Sequence, residues 1–215
     1  MRKLFAALCV VAVMASCAFC ETVKLPAPDK TCPTTLTEAL ALRKTERDFA
    51  DEDFTLQELA NLLWAAGGVN RPDGKLVHPV AMGKQDITIY VFTRENVSKY
   101  DPKANTLEIV AEGDYRRDTG YKVQKEFVGK AAVNLVYVQD LALWEDMKAP
   151  DELKQRWGFA HTGAAMQNVY LYSAAMGWNC VVRGSFEGDS LAKLLKLSPS
   201  QNITLVQSVG KRPKN

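Results

Sequence analysis

A short basic segment carries the clearest chemistry in this sequence. Arg43, Lys44 and Arg47 surround the hydroxyl of Thr45 within five consecutive residues. Arg43 and Arg47 are four positions apart, so they would face the same way on a helical turn. Guanidinium groups bind phosphate oxygens through paired N–H donors, and a hydroxyl adds one more donor. The segment is therefore a candidate phosphate-binding site, and the alternative is a solvated basic helix end that complements the helix dipole.

A second basic pair follows the last predicted strand. Lys211 and Arg212 come directly after Gly210, near the end of the sequence. These cations would serve the same anion as the first segment if the fold brings the two together. By themselves they are only a basic end of the chain.

The histidines and cysteines form no metal-site pattern. His78 and His161 lack a cysteine or carboxylate at ligand spacing, so we expect no structural zinc. His161 is suited to proton transfer near neutral pH, with a purely structural role as the alternative. Cys32 and Cys180 could form a disulfide in an exported protein, or they could be two unrelated thiols.

The composition is that of one ordinary folded domain. The 215 residues are 47% hydrophobic and 24% charged, which excludes disordered, collagen-like and coiled-coil proteins. There are 27 basic and 25 acidic residues, and two of the basic ones lie within residues 1–20, so the remainder is neutral. A neutral chain has no general electrostatic reason to bind nucleic acid.

The first 20 residues have the pattern of an export signal. Two basic residues precede an apolar run over Leu4–Met14, and small residues follow. The run is too short for a permanent membrane span. Met-Ala-Ser-Cys, ending at Cys17, is similar to a bacterial lipobox, with ordinary cleavage after Ala18 or Cys20 as the alternative. We therefore expect a periplasmic or cell-surface protein, which would contact a membrane only if Cys17 carries a lipid anchor.

The elements that must position the basic residues mix helices and strands. Residues 21–34 predict an extended, proline-containing arm, and residues 35–215 the folded domain. Capping boxes at Thr35 and Thr55 predict two helices, the first reaching Lys44 and the second ending at Gly67–Gly68.

Periodicity predicts the remaining elements. Ile87–Phe92 and Thr106–Ala111 are predicted to form a hairpin around a turn at 100–102. The other predicted strands are Ala132–Val138, Asn179–Arg183 and Ile203–Val209, and the helices are 150–176, with a break near Gly158, and Asp189–Leu197. The fold class is therefore α+β.

The order of several weak motifs resembles the FMN-dependent nitroreductase family, in particular its SagB-type dehydrogenase branch. RKTERDF is similar to the family's RRSxRxF, and TLQELANLLWAAGGVN to the LtleeLaqLLWAaqGvn that follows it. Downstream, PVAMGKQDITIYV resembles PSAGGLYPLEIYV, and GAAMQNVYLYSAAMGW resembles GaxxQNlxLaAxxlGL. SKYD and the closing VGKR also match, so the resemblance covers Leu36 to Arg212.

The resemblance implies a central, mostly antiparallel sheet flanked by helices and a homodimer that binds FMN between its subunits. A nicotinamide donor would reduce the flavin in a ping-pong cycle, and the cofactor supplies that chemistry, so no catalytic acid or base is assigned. The phosphate and ribityl motif falls on Arg43, Lys44, Thr45 and Arg47, and the C-terminal phosphate contact on Lys211 and Arg212. The segment whose backbone faces the isoalloxazine ring falls on Val182, Arg183 and Gly184.

The chain departs from the family pattern beside the flavin. Val80 and Met82 replace a serine and a glycine, which adds bulk and implies an altered pocket. Gln85-Asp86 stands where the SagB-type pattern has Tyr-Pro, and His161 or Thr162 where an aspartate is common. These departures argue against azoline oxidation on peptides.

Three functions are compatible with the sequence. The first is an exported FMN oxidoreductase that reduces a small acceptor (a nitroaromatic, quinone or enone), with NAD(P)H or a redox partner as electron donor. The second is a non-catalytic periplasmic or surface binding protein on the same scaffold. The third is a structural lipoprotein that only dimerises.

Overall fold

Seven strands form one antiparallel sheet in the computed structural model, which describes residues 21–214. The export signal predicted for residues 1–20 lies outside this range. The sheet order is β1-β4-β3-β2-β5-β7-β6, so β1 and β6 are its two edges. The strands are β1 Thr22–Lys24, β2 Ile87–Phe92, β3 Asn96–Asp101, β4 Thr106–Glu112, β5 Val133–Asp140, β6 Asn179–Arg183 and β7 Gln201–Gly210.

Five α-helices accompany the sheet within the described residues. They are α1 Leu36–Leu42, α2 Leu56–Gly67, α3 Lys125–Lys130, α4 Asp151–Ala175 and α5 Gly188–Leu194. Both predicted capping boxes are confirmed, because Thr35 and Thr55 accept the N–H of Glu38 and Glu58, whose carboxylates accept the cap N–H in return. No helix among these residues combines the length and apolarity needed to cross a membrane.

Helices cover both faces of the sheet. On one face, Leu62 of α2 and Val169 of α4 share a buried cluster with Leu135 of β5. On the other face, Leu191 of α5 packs with Val136 of β5. Successive residues of a strand point to opposite faces, so the apolar run of β5 is central and buried on both sides. The α+β class and the mostly antiparallel sheet flanked by helices are thus confirmed.

The predicted hairpin is wrong in its pairing. β3, which the sequence analysis did not predict, lies between β2 and β4 and pairs with both. The register of β3 against β4 shifts between Val97 and Ser98, and both residues are buried. The extra residue of this bulge, Val110, is on β4. β3 itself lacks the alternation by which a strand is recognised, because its apolar residues Val97 and Tyr100 are three positions apart.

Helix α4 is continuous where the sequence predicts a break. Gly158 lies inside it, and a Cβ at this position would come within 2.1 Å of the Gln139 side chain. The glycine therefore permits close packing of α4 on β5 rather than ending the helix.

Candidate functional site

The basic segment is extended and lies along the free edge of β6. Helix α1 ends at Leu42, before the Lys44 that the sequence predicts, and Arg43 has ψ 121°, outside the helical region. Arg43 and Arg47 are therefore not related by a helical turn. The N–H of Glu46 donates to the carbonyl of Cys180 at 3.0 Å, and the N–H of Ala50 to that of Lys211 at 3.0 Å. These bonds bring the two predicted basic segments together.

Tyr170 of α4 joins the basic segment to β6. Its hydroxyl accepts the backbone N–H of Val182 at 2.9 Å and lies 3.0 Å from the hydroxyl of Thr45. The Arg43 guanidinium lies 5.5 Å from the centre of the Tyr170 ring, within cation–π range. The sequence analysis missed Tyr170 because its helix reads as a packing element and the residue occupies a variable position of the motif.

A shallow recess lies beside Tyr170. Lys44 and Arg212 both line it, Arg43 is half-buried, and Arg47 is exposed. Lys44 pairs with Glu46 at 2.6 Å, and this hydrogen bond is the main cause of the lowered pKa of Glu46, with smaller contributions from the charges of Arg212 and Arg47. Two cations, Lys44 and Arg212, therefore line the recess.

Two other predicted cations have partners within the chain. The Lys211 ammonium donates to Glu52 at 2.6 Å and lies 3.4 Å from Glu58, and the hydrogen bond to Glu52 raises its pKa. Arg183 is buried and donates to the carbonyl of Thr119 at 2.5 Å and to the hydroxyl of Ser208 at 3.1 Å. Burial lowers the pKa of Arg183 to about 10. Neither side chain points toward the recess as a free donor.

The backbone after β6 is open. Gly184 is exposed, and a Cβ there would meet only the Leu205 side chain at 3.9 Å. Val182, two residues earlier, is half-buried. No packing within the described residues demands a glycine at position 184, and the backbone there is open to close approach from outside.

A buried acid–histidine pair lies below the segment that carries the departures noted in the sequence. His161 Nδ1 is 2.6 Å from Asp86 Oδ1, and His161 Nε2 accepts the N–H of Ala81 at 2.8 Å. Asp86 also accepts the side-chain N–H groups of Gln139 and Trp144. Burial by itself would raise the pKa of Asp86, but the hydrogen bonds outweigh it and the pKa is lowered.

The sequence analysis singled out Asp86 and His161 separately and did not pair them. They are 75 positions apart, so spacing along the chain carries no signal of their contact. The sequence leaves two alternatives for His161, proton transfer and a structural role. Its burial and the hydrogen bonds at both ring nitrogens favour the structural role.

The turn above this pair contains strained backbone. A 3₁₀ turn covers Ala81–Gly83, and within it Met82 has φ 52° and Gly83 has φ 71°. The left-handed region disfavours a residue with a side chain. Met82 stands where the resemblance places glycine, and its side chain is 57% exposed.

The cysteines and acidic residues show no metal site or disulfide in the described part of the chain. Cys32 is exposed and Cys180 is buried, and both are free thiols. Burial raises the pKa of Cys180 to about 12. Between residues 21 and 214, no group of three or more His, Cys, Asp or Glu side chains could hold a metal ion.

Comparisons with known proteins agree with this architecture. A model of the nitroreductase family matches residues 40–211. A protein of Methanocaldococcus jannaschii, whose name assigns it provisionally to the nitroreductases, is 24% identical over 199 residues, which are 89% of this chain and 98% of that protein.

Solved structures give the same result. A crystal structure from Ralstonia eutropha JMP134, also with a provisional nitroreductase name, is 35% identical, covers 90% of both chains and has a TM-score of 0.83. The NADPH:FMN oxidoreductase of Vibrio harveyi, complexed with NAD+, is 17% identical with a TM-score of 0.62 over 85% of this chain and 70% of that one. The chain therefore belongs to the nitroreductase family.

Proposed function

We propose that this chain is an exported, FMN-dependent oxidoreductase of the nitroreductase family that reduces a small acceptor such as a nitroaromatic, quinone or enone. The observation that carries the proposal is the position of Tyr170. It holds the basic segment beside β6, so that Thr45 and the open backbone at Gly184 both lie along this edge of the sheet.

The donor set suits a flavin phosphate. Arg43, Lys44, Arg47 and Arg212 offer charged N–H donors, and Thr45 offers a hydroxyl. The pair between Lys44 and Glu46 is exposed, so it stabilises the fold little and can be exchanged for a phosphate. These five donors would hold the phosphate and ribityl chain. Lys211 would not be among them, because it pairs with Glu52 and Glu58.

The ring of the flavin would lie along the end of β6. Val182, Arg183 and Gly184 provide the backbone there, and the buried Arg183 side chain fixes that backbone from the opposite face. FMN, once bound, supplies hydride and electron transfer. The chain's own residues bind and orient it and leave one face of the ring accessible.

A second copy of the chain would complete the site. The recess beside Tyr170 is too shallow to enclose a flavin, and an apolar groove of about 360 Å³ runs between α1, α2 and α4. Leu36 of α1 lines this groove and is exposed, and Leu40 and Leu42 of the same helix are also exposed. Gly163 of α4 has nothing within 4 Å of the place of a Cβ. These features support a homodimer in which α1 and α4 meet their counterparts.

The location of the protein bears on which electron donor it could use. NAD(P)H is the donor that the resemblance implies, and export would separate the protein from the cytoplasmic pool. The proposal therefore includes a redox partner as the alternative donor. Placement within the SagB-type branch rests on the motif order, and Gln85 and Asp86 depart from that branch.

The alternative function is a non-catalytic binding protein on the same scaffold. The observation that favours it is Met82, whose exposed side chain stands on the strained turn where the family pattern has glycine. In this alternative the side chain blocks access of an acceptor to the ring.

One experiment separates these functions. Purified protein without residues 1–20 is mixed with FMN and gel-filtered, and the flavin absorbance of the protein peak is measured, with about one FMN per subunit expected. The complex is then reduced with dithionite and mixed anaerobically with 1,4-benzoquinone. Rapid reoxidation supports the oxidoreductase, and retained but unreactive flavin supports the binding protein. Protein without FMN contradicts the oxidoreductase and favours a binding or structural role.

A further inference from the structure

We infer that His161 is a positioning residue that fixes the turn at Ala81–Gly83 through its Nε2, while Asp86 holds the ring in place. The inference deepens the proposed function, because this turn is the segment that the family resemblance places beside the flavin. His161 is 4% exposed and Asp86 1% exposed, so neither is a surface group with free rotation.

The hydrogen bonds define one protonation state. A backbone N–H can only donate, so Nε2 of His161 must be the unprotonated ring nitrogen that accepts from Ala81. The ring proton is then on Nδ1 and is donated to Asp86. Gln139 and Trp144 donate to the other oxygen of Asp86 at 2.8 and 2.9 Å.

Packing also restrains the imidazole. The indole of Trp144 is stacked on the ring of His161, with centres 6.4 Å apart and planes 20° apart. The same indole stacks on Trp157, at 4.7 Å. A ring held by one donor, one acceptor and an aromatic wall has a single orientation, so Nε2 is a fixed acceptor.

The turn needs such an acceptor because its backbone is unfavourable. Met82 and Gly83 are consecutive residues with positive φ, and only the second is a glycine. The bond from Ala81 to His161 fixes the start of the turn. Its end is fixed by Lys84, whose N–H donates to the carbonyl of Ala81 and whose ammonium donates to Asp146 at 2.7 Å.

Asp86 and His161 both stand at positions where the family pattern has a different residue. The resemblance puts a proline at Asp86 and an acid at or near His161, and in this chain the two changes meet in one hydrogen bond. Together they form a buried link between α4 and the turn. The position of Met82 therefore depends on His161 rather than on the residues proposed to bind phosphate. Under the proposed function, access of an acceptor to the flavin depends on His161 for the same reason.

Two substitutions separate the two bonds of His161. His161→Asn places an amide N–H near Nδ1, so it keeps the bond to Asp86 and loses the acceptor for Ala81. His161→Gln places an amide oxygen near Nε2, so it keeps the acceptor for Ala81 and loses the bond to Asp86. If His161 only stabilised the fold by pairing with Asp86, His161→Asn would retain acceptor reduction better than His161→Gln.

The experiment measures the turn and the reaction in wild type and both variants. Hydrogen exchange of the Ala81 amide reports the turn without flavin. Reoxidation of FMN-loaded, dithionite-reduced protein by 1,4-benzoquinone reports acceptor access, and FMN titration reports the phosphate site. We expect His161→Asn to speed Ala81 exchange about fivefold to tenfold and to slow reoxidation, His161→Gln to retain both values, and FMN affinity to stay unchanged.

Different results overturn different statements. Equal losses in the two variants, or faster reoxidation in His161→Asn than in His161→Gln, would make the role purely structural. If neither variant folds, the ¹⁵N shifts of wild-type His161 decide, because a protonated Nε2 contradicts the inference. If wild-type protein does not bind FMN, the proposed function fails, and Ala81 exchange still tests the turn.

Discussion

The hydroxyl of Tyr170 accepts the backbone N–H of Val182 at 2.9 Å and lies 3.0 Å from the hydroxyl of Thr45. One side chain of α4 thereby fixes both the edge strand β6 and the basic segment beside it. The proposed phosphate site needs its donors held in a fixed arrangement, so under that proposal Tyr170 is as important as the cations themselves.

Tyr170→Phe should weaken both the fold and FMN binding. The N–H of Val182 and the hydroxyl of Thr45 lose a partner, which costs about 1 to 3 kcal/mol of unfolding free energy. Urea unfolding and FMN titration measure the two effects. Tyr172→Phe on the same helix is the control and should leave FMN affinity unchanged, whereas an unaltered affinity in Tyr170→Phe would refute the role of Tyr170.

The double substitution Arg43→Ala and Arg47→Ala should abolish FMN retention in a protein that remains folded. Each guanidinium contributes about 1.5 to 3 kcal/mol as a charged donor, so the Kd should rise about a hundredfold or more. Isothermal titration with FMN measures it. The double substitution Lys99→Ala and Lys103→Ala removes the same charge from exposed residues of another region and should have little effect.

Met82→Gly should relieve strain and open the acceptor side. Glycine adopts φ 52° without penalty but loses more chain entropy, so the net gain in stability is at most about 1 kcal/mol. Lys196→Gly is a matched control, because Lys196 has φ 51° and is exposed on another part of the surface. Both variants should gain in melting temperature, and only Met82→Gly should speed reoxidation by bulky quinones.

Thiol reagents should distinguish the two cysteines. Cys32 is exposed, and Cys180 is buried with its pKa raised to about 12, so almost no thiolate of Cys180 exists at pH 8. Native protein without residues 1–20 should give one rapid reaction with Ellman's reagent, absent in Cys32→Ser, and a second only after denaturation. A disulfide between these cysteines would remove both signals.

Asp86 should contribute stability that disappears in acid. Its folded-state pKa is lowered below 3.8, so the contribution is fully present above that pH and is lost as pH falls through the lower folded-state value. Asp86→Asn should therefore be less stable than wild type at pH 7, and the difference should shrink below pH 3.8. Urea unfolding across this range, with exposed Asp189→Asn as the control, measures it.

Local signals in the sequence predicted the elements that local physics decides. The helix starts at Thr35 and Thr55 depend on side chains three residues away, and both were located correctly. The strand β3 carries no such local signal, because its apolar residues Val97 and Tyr100 are three positions apart and its polar Ser98 is buried. Gly158 predicts a helix break from the local sequence alone. The contact that requires a glycine there is with Gln139, which is distant in the chain.

The site divides in the same way. The basic residues 43–47 stood out because they are neighbours in the chain, and their extended conformation came from pairing with β6, which no local pattern shows. The pair of Asp86 and His161 and the role of Tyr170 depend on contacts between distant segments. Long-range contacts of this kind become visible only once the sheet order is known.

The strand β1 and the basic segment lie at opposite edges of the sheet. The chain enters the sheet at one edge, where Val23 pairs with Leu107 of β4, and the residues that we propose to bind FMN lie at the opposite edge beside β6. Six interstrand spacings of about 4.8 Å separate these edges by roughly 29 Å. Under the proposed function, a tether attached ahead of Thr22 would hold the molecule by the edge that lies farthest from the proposed flavin site.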